Sequence, residues 1–326
     1  MADFQTPQQH QVPKRRHLCL ILAGIGSLFI LSLLIFVDPH ASDHATLFNP
    51  HVVYHHQTKG FLKADRVERH GVTSRTRLQH VQNWWQSNGV QAFHDELNCE
   101  DGRLFFWKEQ ICWTCQAPAR CLPFSSSICS VSMQMRCNGT QRTNLYIGGL
   151  ELQTNEKNWM PFEGLDGELF MVYSVTPFFT IVQCDPSFVG PTCEVIFRQL
   201  NSGYKDIRGG SAGLQISKGH HIFMGHVKTE QHGYLAVLIE IEEGPMKTFK
   251  LTRLTAPFSL MHVDGFVYPH GIGFADAEHQ NVLISMGVND SERWVALVSL
   301  KEMLKNDESG FRAAIRATAR PLVPRL

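Results

Sequence analysis

The chain has 326 residues, of which 43% are hydrophobic and 18% are charged, a balance typical of a protein that buries a core. Wholesale disorder is therefore excluded, and the length accommodates one large domain or two ordinary ones. The 30 basic and 30 acidic residues give a formal net charge of +0. Because nothing in this balance favours binding to a polyanion, we predict no nucleic-acid partner.

The N-terminal part contains one long uncharged segment, residues 18–37, of about the 20 residues that a helix needs to cross a bilayer. Three basic residues, 14–16, precede it and Asp38 follows it. The positive-inside rule then predicts a cytosolic tail over 1–17, a type II transmembrane signal anchor, and a luminal remainder that starts with a short stem at 38–47. A cleaved signal peptide is the alternative, but the segment is longer than a usual apolar signal core and lacks a small-x-small cleavage site.

Eight of the nine cysteines follow this segment, and a luminal setting would oxidise them in pairs. The short Gly/Pro loop between Cys184 and Cys193 predicts that these two are bonded. The other six allow 15 connectivities, and these stay open: Cys99, Cys112, Cys115, Cys121, Cys129 and Cys137. A zinc site that includes Cys112-x-x-Cys115 is the minor alternative. Glycosylation sequons at Asn138 and Asn289 fit a glycoprotein of the Golgi or endoplasmic reticulum membrane.

The pattern of apolar runs predicts an all-β fold. Short apolar or alternating segments bounded by Gly, Pro, Asn or Asp recur along the chain, as strands and tight turns require. They form a loose repeat of about 45 to 50 residues, and its units begin near residues 48, 93, 145, 209 and 262. Five units predict a five-bladed β-propeller over 48–305, because radial repetition protects strand edges. A β-sandwich is the alternative, but it does not require a fifth similar unit.

Two segments depart from the repeat. Residues 112–137 are predicted to be a Cys-rich insertion in the luminal domain. From Leu300 onward, SLKEMLKN and FRAAIRATAR predict short helices, the second of them basic. Residues 306–326 are therefore predicted to be a helical C-terminal tail that caps the propeller.

Glu100-Asp101-Gly102-Arg103 places two carboxylates and a guanidinium at the inner end of a predicted strand. In a propeller funnel such a group can supply a general acid whose pKa is adjusted by its neighbours. The alternative is structural: Asp-Gly is a common hairpin sequence, and Arg103 can pair with Glu100.

A set of motifs, about one per unit, has the order and spacing of a known superfamily. The motifs are Asn49-Pro50 with Arg66, Glu100-Asp101-Gly102-Arg103, Lys157-Asn158-Trp159 with Pro161-Phe162, Arg208-Gly209-Gly210-Ser211, Gly225-His226 and Gly287-Val288-Asn289-Asp290. From about Asn49 to Leu300 the chain resembles the five-bladed propeller superfamily of β-mannoside phosphorylases and related β-mannosyltransferases. It departs from that pattern at Gly102, where the superfamily usually has proline.

The resemblance implies a single displacement that inverts a mannosyl anomeric carbon, with Asp101 as general acid or, in the reverse direction, general base. An anion opposite Asp101 requires a basic lining. The implied substrate- and anion-binding residues are Arg66, Arg103, Lys157, Asn158, Arg208, His226 and Asp290. The Trp159 ring suits the apolar face of a sugar, although a lone tryptophan is more often core. A glycan at the Asn289 sequon would exclude an active-site role for Asp290.

No metal-binding pattern stands out, since the best acidic candidate is Asp276-Ala277-Glu278 in a poorly patterned loop. We therefore predict chemistry that needs no metal or other cofactor. The sequence predicts a membrane-anchored glycosyltransferase that transfers a mannosyl-type sugar from a sugar nucleotide or sugar phosphate to a glycan acceptor. The alternatives are an inactive glycan-binding or scaffold propeller, and a hydrolase or phosphorylase of the same fold.

Overall fold

Antiparallel strands make up most of the chain that the computed structural model describes. The described residues are 46–55, 59–68, 75–81, 90–91, 99–118, 131–137, 143–148, 157–187, 192–201, 203–231, 233–263, 265–289, 291–305 and 307–322, and before residue 99 few side chains are included. The predicted cytosolic tail and membrane anchor fall outside these ranges. Within them, no helix is both long and apolar enough to cross a bilayer.

The strands form five sheets that follow one another along the chain. The first comprises β1 (Thr46–His55), β2 (Gly60–Glu68), β3 (Arg75–Val81) and β4 (Val90–Gln91), and the second β5 (Glu100–Trp107), β6 (Gln110–Pro118), β7 (Val131–Cys137) and β8 (Thr143–Leu145). The third comprises β9 (Met160–Glu163), β10 (Leu169–Ser174), β11 (Phe178–Cys184) and β12 (Cys193–Leu200). The fourth comprises β13 (Ile207–Gly209), β14 (Leu214–Ser217), β15 (His220–Thr229), β16 (Gly233–Gly244) and β17 (Thr248–Leu254). The fifth comprises β18 (Val267–Phe274), β19 (Asn281–Val288), β20 (Glu292–Ser299) and β21 (Arg320–Pro321).

Four of the sheets have four strands, the usual size of a propeller blade. The fourth sheet has five because its inner edge is divided. Both β13 and β14 pair with β15, at Gly209 opposite Gly225 and at Leu214 opposite Ile222, so the two short strands lie end to end. Residues 210–213 interrupt the inner strand between them.

Contacts between neighbouring sheets close a ring in chain order. The inner strand β5 contacts β1 on one side and β9 on the other, β10 contacts β13, β15 and β16 contact β18, and β18 contacts β1. This propeller-like arrangement excludes the sandwich, in which two sheets would face each other. It also directs the starts of β5, β9, β13 and β18 to one end of the ring.

The core lies between the sheets rather than in one central mass. Each of the five apolar clusters among the described residues joins two consecutive sheets: Leu62 with Trp113, Met135 with Met171, Phe162 with Ile239, Met224 with Ile284, and Val52 with Leu283. Because strand side chains alternate between the two faces, each sheet contributes one face to the cluster on either side. The ring is therefore stabilised by its sheet-to-sheet interfaces.

Two helices cover the segments that the sequence predicts to be helical. They are α1 (Leu300–Leu304) and α2 (Glu308–Thr318). The Asp307 side chain accepts a hydrogen bond from the Ser309 amide and caps α2. Two residues of α2, Phe311 and Ile315, are buried in the apolar cluster between the fourth and fifth sheets.

Two sequence predictions are wrong in position. The third sheet begins at Met160 rather than near residue 145, because Leu145 ends the short outer strand of the second sheet. The Cys-rich segment 112–137 is not an insertion: most of β6 and all of β7 lie within it. Both errors arise because an outer strand of one sheet and the inner strand of the next have similar short apolar patterns.

The disulfide bonds explain the Cys-rich pattern. Cys99 is bonded to Cys115, Cys112 to Cys137, and Cys184 to Cys193, the pair predicted from the loop length. The two cysteines of Cys112-x-x-Cys115 thus belong to different disulfides and are not zinc ligands. Cys121 and Cys129 lie outside the described residues.

Candidate functional site

A buried arginine joins three sheets at the end of the ring where the inner strands begin. Arg103 of β5 is 1% exposed. Its Nε donates to the carbonyl oxygen of Gly210 at 2.6 Å, and its Nη2 donates to Oδ1 of Asn158 at 3.0 Å. Nη1 donates to the backbone oxygen of Asp101 at 3.3 Å. These bonds fix the start of β5 against the segments that open the third and fourth sheets.

Asp101 lies on a β-bulge at the start of β5. The pairing of β5 with β6 shifts register between Glu100 and Arg103, and Asp101 has a φ of 51°. Asn158, just before β9, also has a positive φ, 66°. Asp and Asn adopt this left-handed conformation more readily than most residues, and bulges re-aim side chains next to active sites. The two residues are therefore placed by local irregularities of the backbone.

The hairpin-turn alternative for Asp101-Gly102 is wrong, because both residues lie within β5. The neighbouring carboxylate is fixed within the second sheet, where Oε2 of Glu100 accepts a hydrogen bond from Nε2 of Gln116 at 2.9 Å.

Two glycines let the backbone of the fourth sheet pass close to its neighbours. A Cβ on Gly209 would collide with the backbone oxygen of Asn158, and one on Gly210 would lie 2.5 Å from the oxygen of Met224. Ser211 then secures the interrupted strand, since its amide donates to Met224 O and its Oγ accepts from Met224 N, each at 2.9 Å. This close approach brings the Gly210 carbonyl within reach of Arg103.

An aromatic wall completes one side of the site. The ring of Tyr268 on β18 lies 4.8 Å from that of His226 on β15 and 5.1 Å from that of Tyr234. The Tyr268 hydroxyl donates to Oδ1 of Asn158 at 3.4 Å. His270 is fully buried on β18, with its Nε2 3.3 Å from the backbone oxygen of Gly102. These contacts connect the fourth and fifth sheets to Arg103 and its hydrogen-bond partners.

The pKa values identify the charges that converge here. Burial is the largest cause of a pKa of about 3 for His226; the nearby charges of Arg103, Arg208 and Lys157 also lower this pKa, whereas the Asp101 carboxylate raises it. His226 is therefore neutral at physiological pH. Burial and the charge of Asp101 raise the pKa of the Tyr268 hydroxyl well above its ordinary value. One carboxylate and three cationic groups thus lie close enough to His226 to act on its charge.

The structure brings together six of the residues predicted from the sequence: Asp101, Arg103, Lys157, Asn158, Arg208 and His226. Arg103 and His226 are buried, Asp101 and Asn158 half-buried, and Lys157 and Arg208 exposed. For Arg66 the backbone of β2 is described but the side chain is not, and Asp290 lies outside the described residues. The roles of all eight stay predictions.

The sugar-stacking interpretation of Trp159 is wrong. Its side chain is completely buried and packs edge-on against Tyr173 at 5.3 Å. Three aromatic residues of the wall were missed: Tyr234, Tyr268 and His270. The alternation of Tyr268 and His270 in an apolar strand is a weak signal that polar aromatic groups face inward.

The Asn289 sequon lies near the wall. Its Oδ1 accepts a hydrogen bond from the Phe266 amide at 2.9 Å, and its own amide donates to the Phe266 oxygen at 3.1 Å. Asn289 therefore holds the segment that leads into β18. Within the described ranges, no group of three or more His, Cys, Asp or Glu side chains is placed to hold a metal ion.

No known family profile and no curated protein matches the chain in sequence. A hypothetical protein from Leishmania major has a similar structure, with a TM-score of 0.53 at 13% identity over 80% of this chain and 87% of that one. A GDP-Man-dependent mannosyltransferase from Leishmania mexicana gives 0.48 at 13% identity, over 79% and 86% of the two chains. A thermostable family-43 glycoside hydrolase gives 0.47 at 10% identity, over 86% and 94%. At these identities the likeness concerns the fold alone.

Proposed function

We propose that this protein is a carbohydrate-active enzyme, an inverting glycosyltransferase that transfers a mannosyl-type sugar from an anionic donor to a glycan acceptor. We also infer that each of the five sheets is one propeller blade. The observation that carries the function is the convergence of one carboxylate, Asp101, and three cationic side chains on His226. If these four charged side chains were scattered over the molecule, a scaffold without catalytic activity would be favoured.

In this mechanism Asp101 is the general base. Its carboxylate accepts the proton of the acceptor hydroxyl while that oxygen forms a bond to the anomeric carbon of the donor. The bond between the anomeric carbon and the phosphate oxygen breaks on the opposite face, and the electron pair leaves with the phosphate. In the reverse direction Asp101 returns the proton and phosphate attacks.

The cationic groups stabilise the leaving phosphate. Arg208 and Lys157 are exposed and free to approach a phosphate, while Arg103 is held in place by Gly210 and Asn158. A preorganised positive charge lowers the barrier because it is aimed at the negative charge that develops as the phosphate departs. A hydrolase would need fewer cations opposite its acid, so this set favours a reaction with an anion.

We infer that the domain works in the lumen of the Golgi or endoplasmic reticulum, anchored by residues 18–37. Three disulfide bonds support an oxidising compartment. This topology favours transfer over phosphorolysis, whose sugar phosphates are used chiefly in the cytosol. The phosphorylase is the second candidate, because the same site runs the reaction in reverse.

The test is to incubate the full-length protein with mannose 1-phosphate or sugar nucleotides and mannoside acceptors, and to detect products by mass. Asp101→Asn is expected to lower turnover by about 10²- to 10⁴-fold, the usual contribution of a general acid or base. Glu100→Gln is the matched control, since it neutralises the adjacent carboxylate and is expected to retain activity. Turnover that is unaffected by Asp101→Asn would contradict the role of Asp101 as general base. No turnover with any donor would favour the alternative of an inactive glycan-binding propeller.

A further inference from the structure

Arg103, Lys157 and Arg208 form what we call the cationic site. A cleft of about 900 Å³ opens beside it. One wall comes from the β15–β16 hairpin and includes Gln231 and Tyr234, and the other comes from the segment before β18 and includes Ser259 and His262. Because the strands are antiparallel, the β15–β16 turn lies at the same end of the ring as the start of β13. The cleft and the cationic site therefore share one end of the ring.

Tyr234 belongs to both the cleft and the aromatic wall. Its ring is 5.4 Å from that of His226 and 5.1 Å from that of Tyr268. The Tyr268 hydroxyl in turn contacts Asn158, a partner of Arg103. Contacts between aromatic rings, and the hydrogen bonds of Asn158, thus connect the cleft to Arg103.

The chemistry of the cleft differs from that of the cationic site. Its apolar surface comes from Leu235, Met261, Val263 and Val267, and its polar groups are the Gln231 amide, the Ser259 hydroxyl and the His262 imidazole. Apolar surface with a few hydrogen-bonding groups matches a sugar, which presents CH faces and hydroxyls.

Contacts with Asn289 fix Gly265 and Phe266, two residues of the segment that leads into β18. Gly265 has a φ of 115°, and its Cα lies so close to the Asn289 amide that a Cβ would collide with Oδ1. Two hydrogen bonds join Asn289 and Phe266. Residues that are already held in place need no ordering on binding, so they cost a ligand less conformational entropy.

We propose that this cleft is an acceptor subsite, which binds the neutral sugar units of the glycan next to the unit that reacts at Asp101. The inference rests on the proposed function and adds the place and chemical class of the acceptor. The donor phosphate binds the cationic groups, and the uncharged part of the acceptor lies across Tyr234 in the cleft.

The test is calorimetric titration of the full-length protein with three neutral trisaccharides, mannotriose, chitotriose and maltotriose, and separately with mannose 1-phosphate. The double variant Gln231→Ala/His262→Ala removes two hydrogen-bonding side chains and is expected to weaken trisaccharide binding by about tenfold. Its affinity for mannose 1-phosphate is expected to be unchanged. Gln215→Ala, an exposed glutamine on β14 toward the other end of the ring, is the matched control and is expected to alter neither affinity.

Two results would overturn the inference: binding of none of the three trisaccharides, or equal trisaccharide affinity in the double variant and the unmodified protein. The proposed function fails separately, if neither mannose 1-phosphate nor a sugar nucleotide binds, or if the affinity of the donor that binds does not depend on Arg208. Because trisaccharide binding is measured without turnover, the cleft is tested even if the enzyme assay shows no product.

Discussion

His226 is a buried histidine surrounded by charged side chains. Its side chain is 2% exposed and is kept neutral by burial and by the charges of Arg103, Arg208 and Lys157. A protonated imidazole at this position would add a fourth cation beside a single carboxylate, Asp101. Because the ring is neutral, it adds no charge to the three cations that the proposed function assigns to the donor phosphate.

Arg208 is the cation whose removal is most informative, because it is exposed and its loss should not disturb folding. Arg208→Ala is expected to weaken mannose 1-phosphate binding by about 10- to 100-fold, the effect of losing a charge-assisted hydrogen bond. Calorimetry measures the affinity, and urea unfolding checks that stability is unchanged. Arg316→Ala, an exposed arginine on α2, is the control. Equal losses in both variants would indicate a general charge effect and contradict a phosphate site at Arg208.

The elements that carry the site are inner strands with irregular backbones. β5 has a bulge at Asp101, the inner strand of the fourth sheet is interrupted after Gly209, and β18 shifts register between Pro269 and Gly271. Each irregularity breaks the regular pairing of an inner strand and changes the direction of the side chains around it.

A substitution at Gly209 tests how far the site depends on the close approach of β13 to the backbone of Asn158. Gly209→Ala places a methyl group against the Asn158 backbone oxygen and Met160, so the strand or Asn158 must move. We expect a loss of more than about 3 kcal/mol in the free energy of unfolding, among the larger effects of single substitutions, together with loss of mannose 1-phosphate binding.

Gly203→Ala is the matched control for that experiment. The nearest atom to a Cβ at Gly203 is Oδ1 of Asn201 at 3.4 Å, an ordinary contact. Urea unfolding is expected to show little change for this variant. A Gly209→Ala protein as stable as the Gly203→Ala protein would contradict the packing argument.

The sequence predicted more of the fold and of the site than of the boundaries between sheets. Asp101 and Arg103 stand out in the sequence as part of a charged cluster at the start of a predicted inner strand, whereas Arg208 is implied by the resemblance to the propeller superfamily. The start of the third sheet was misplaced because Thr143–Leu145 is a short strand with no distinguishing feature. Tyr268 was missed because its contacts with His226 and Asn158 depend on the packing of different sheets, which no local pattern encodes.

At the scale of the whole molecule, the ring depends on the clusters between sheets, and one of them contains a buried titratable group. His221 on β15 is 1% exposed, with its ring 4.9 Å from that of Phe162 and 6.5 Å from that of Phe223. Burial lowers its pKa to about 4. This histidine and His226 therefore connect proton uptake to the integrity of the fourth sheet.

The free energy of unfolding is expected to fall as the pH drops below about 6.5, the pKa of histidine in an unfolded chain. Between that pH and the lowered folded-state values, about 4 for His221 and about 3 for His226, the unfolded chain binds protons that the folded chain does not. Each histidine then contributes a slope of up to about 1.4 kcal/mol per pH unit. Urea unfolding at neutral pH and at about pH 5 measures this slope.

His221→Phe isolates the contribution of the interface, because phenylalanine preserves the aromatic packing with Phe162 and cannot take up a proton. This variant is expected to lose less stability than the unmodified protein between neutral pH and about pH 5. Gln215→Ala, which changes an exposed residue without a titratable side chain, is the control and is expected to keep the original slope. If His221→Phe keeps it too, the acid sensitivity arises at other groups, and the interface between the third and fourth sheets is not the part of the ring that fails first in acid.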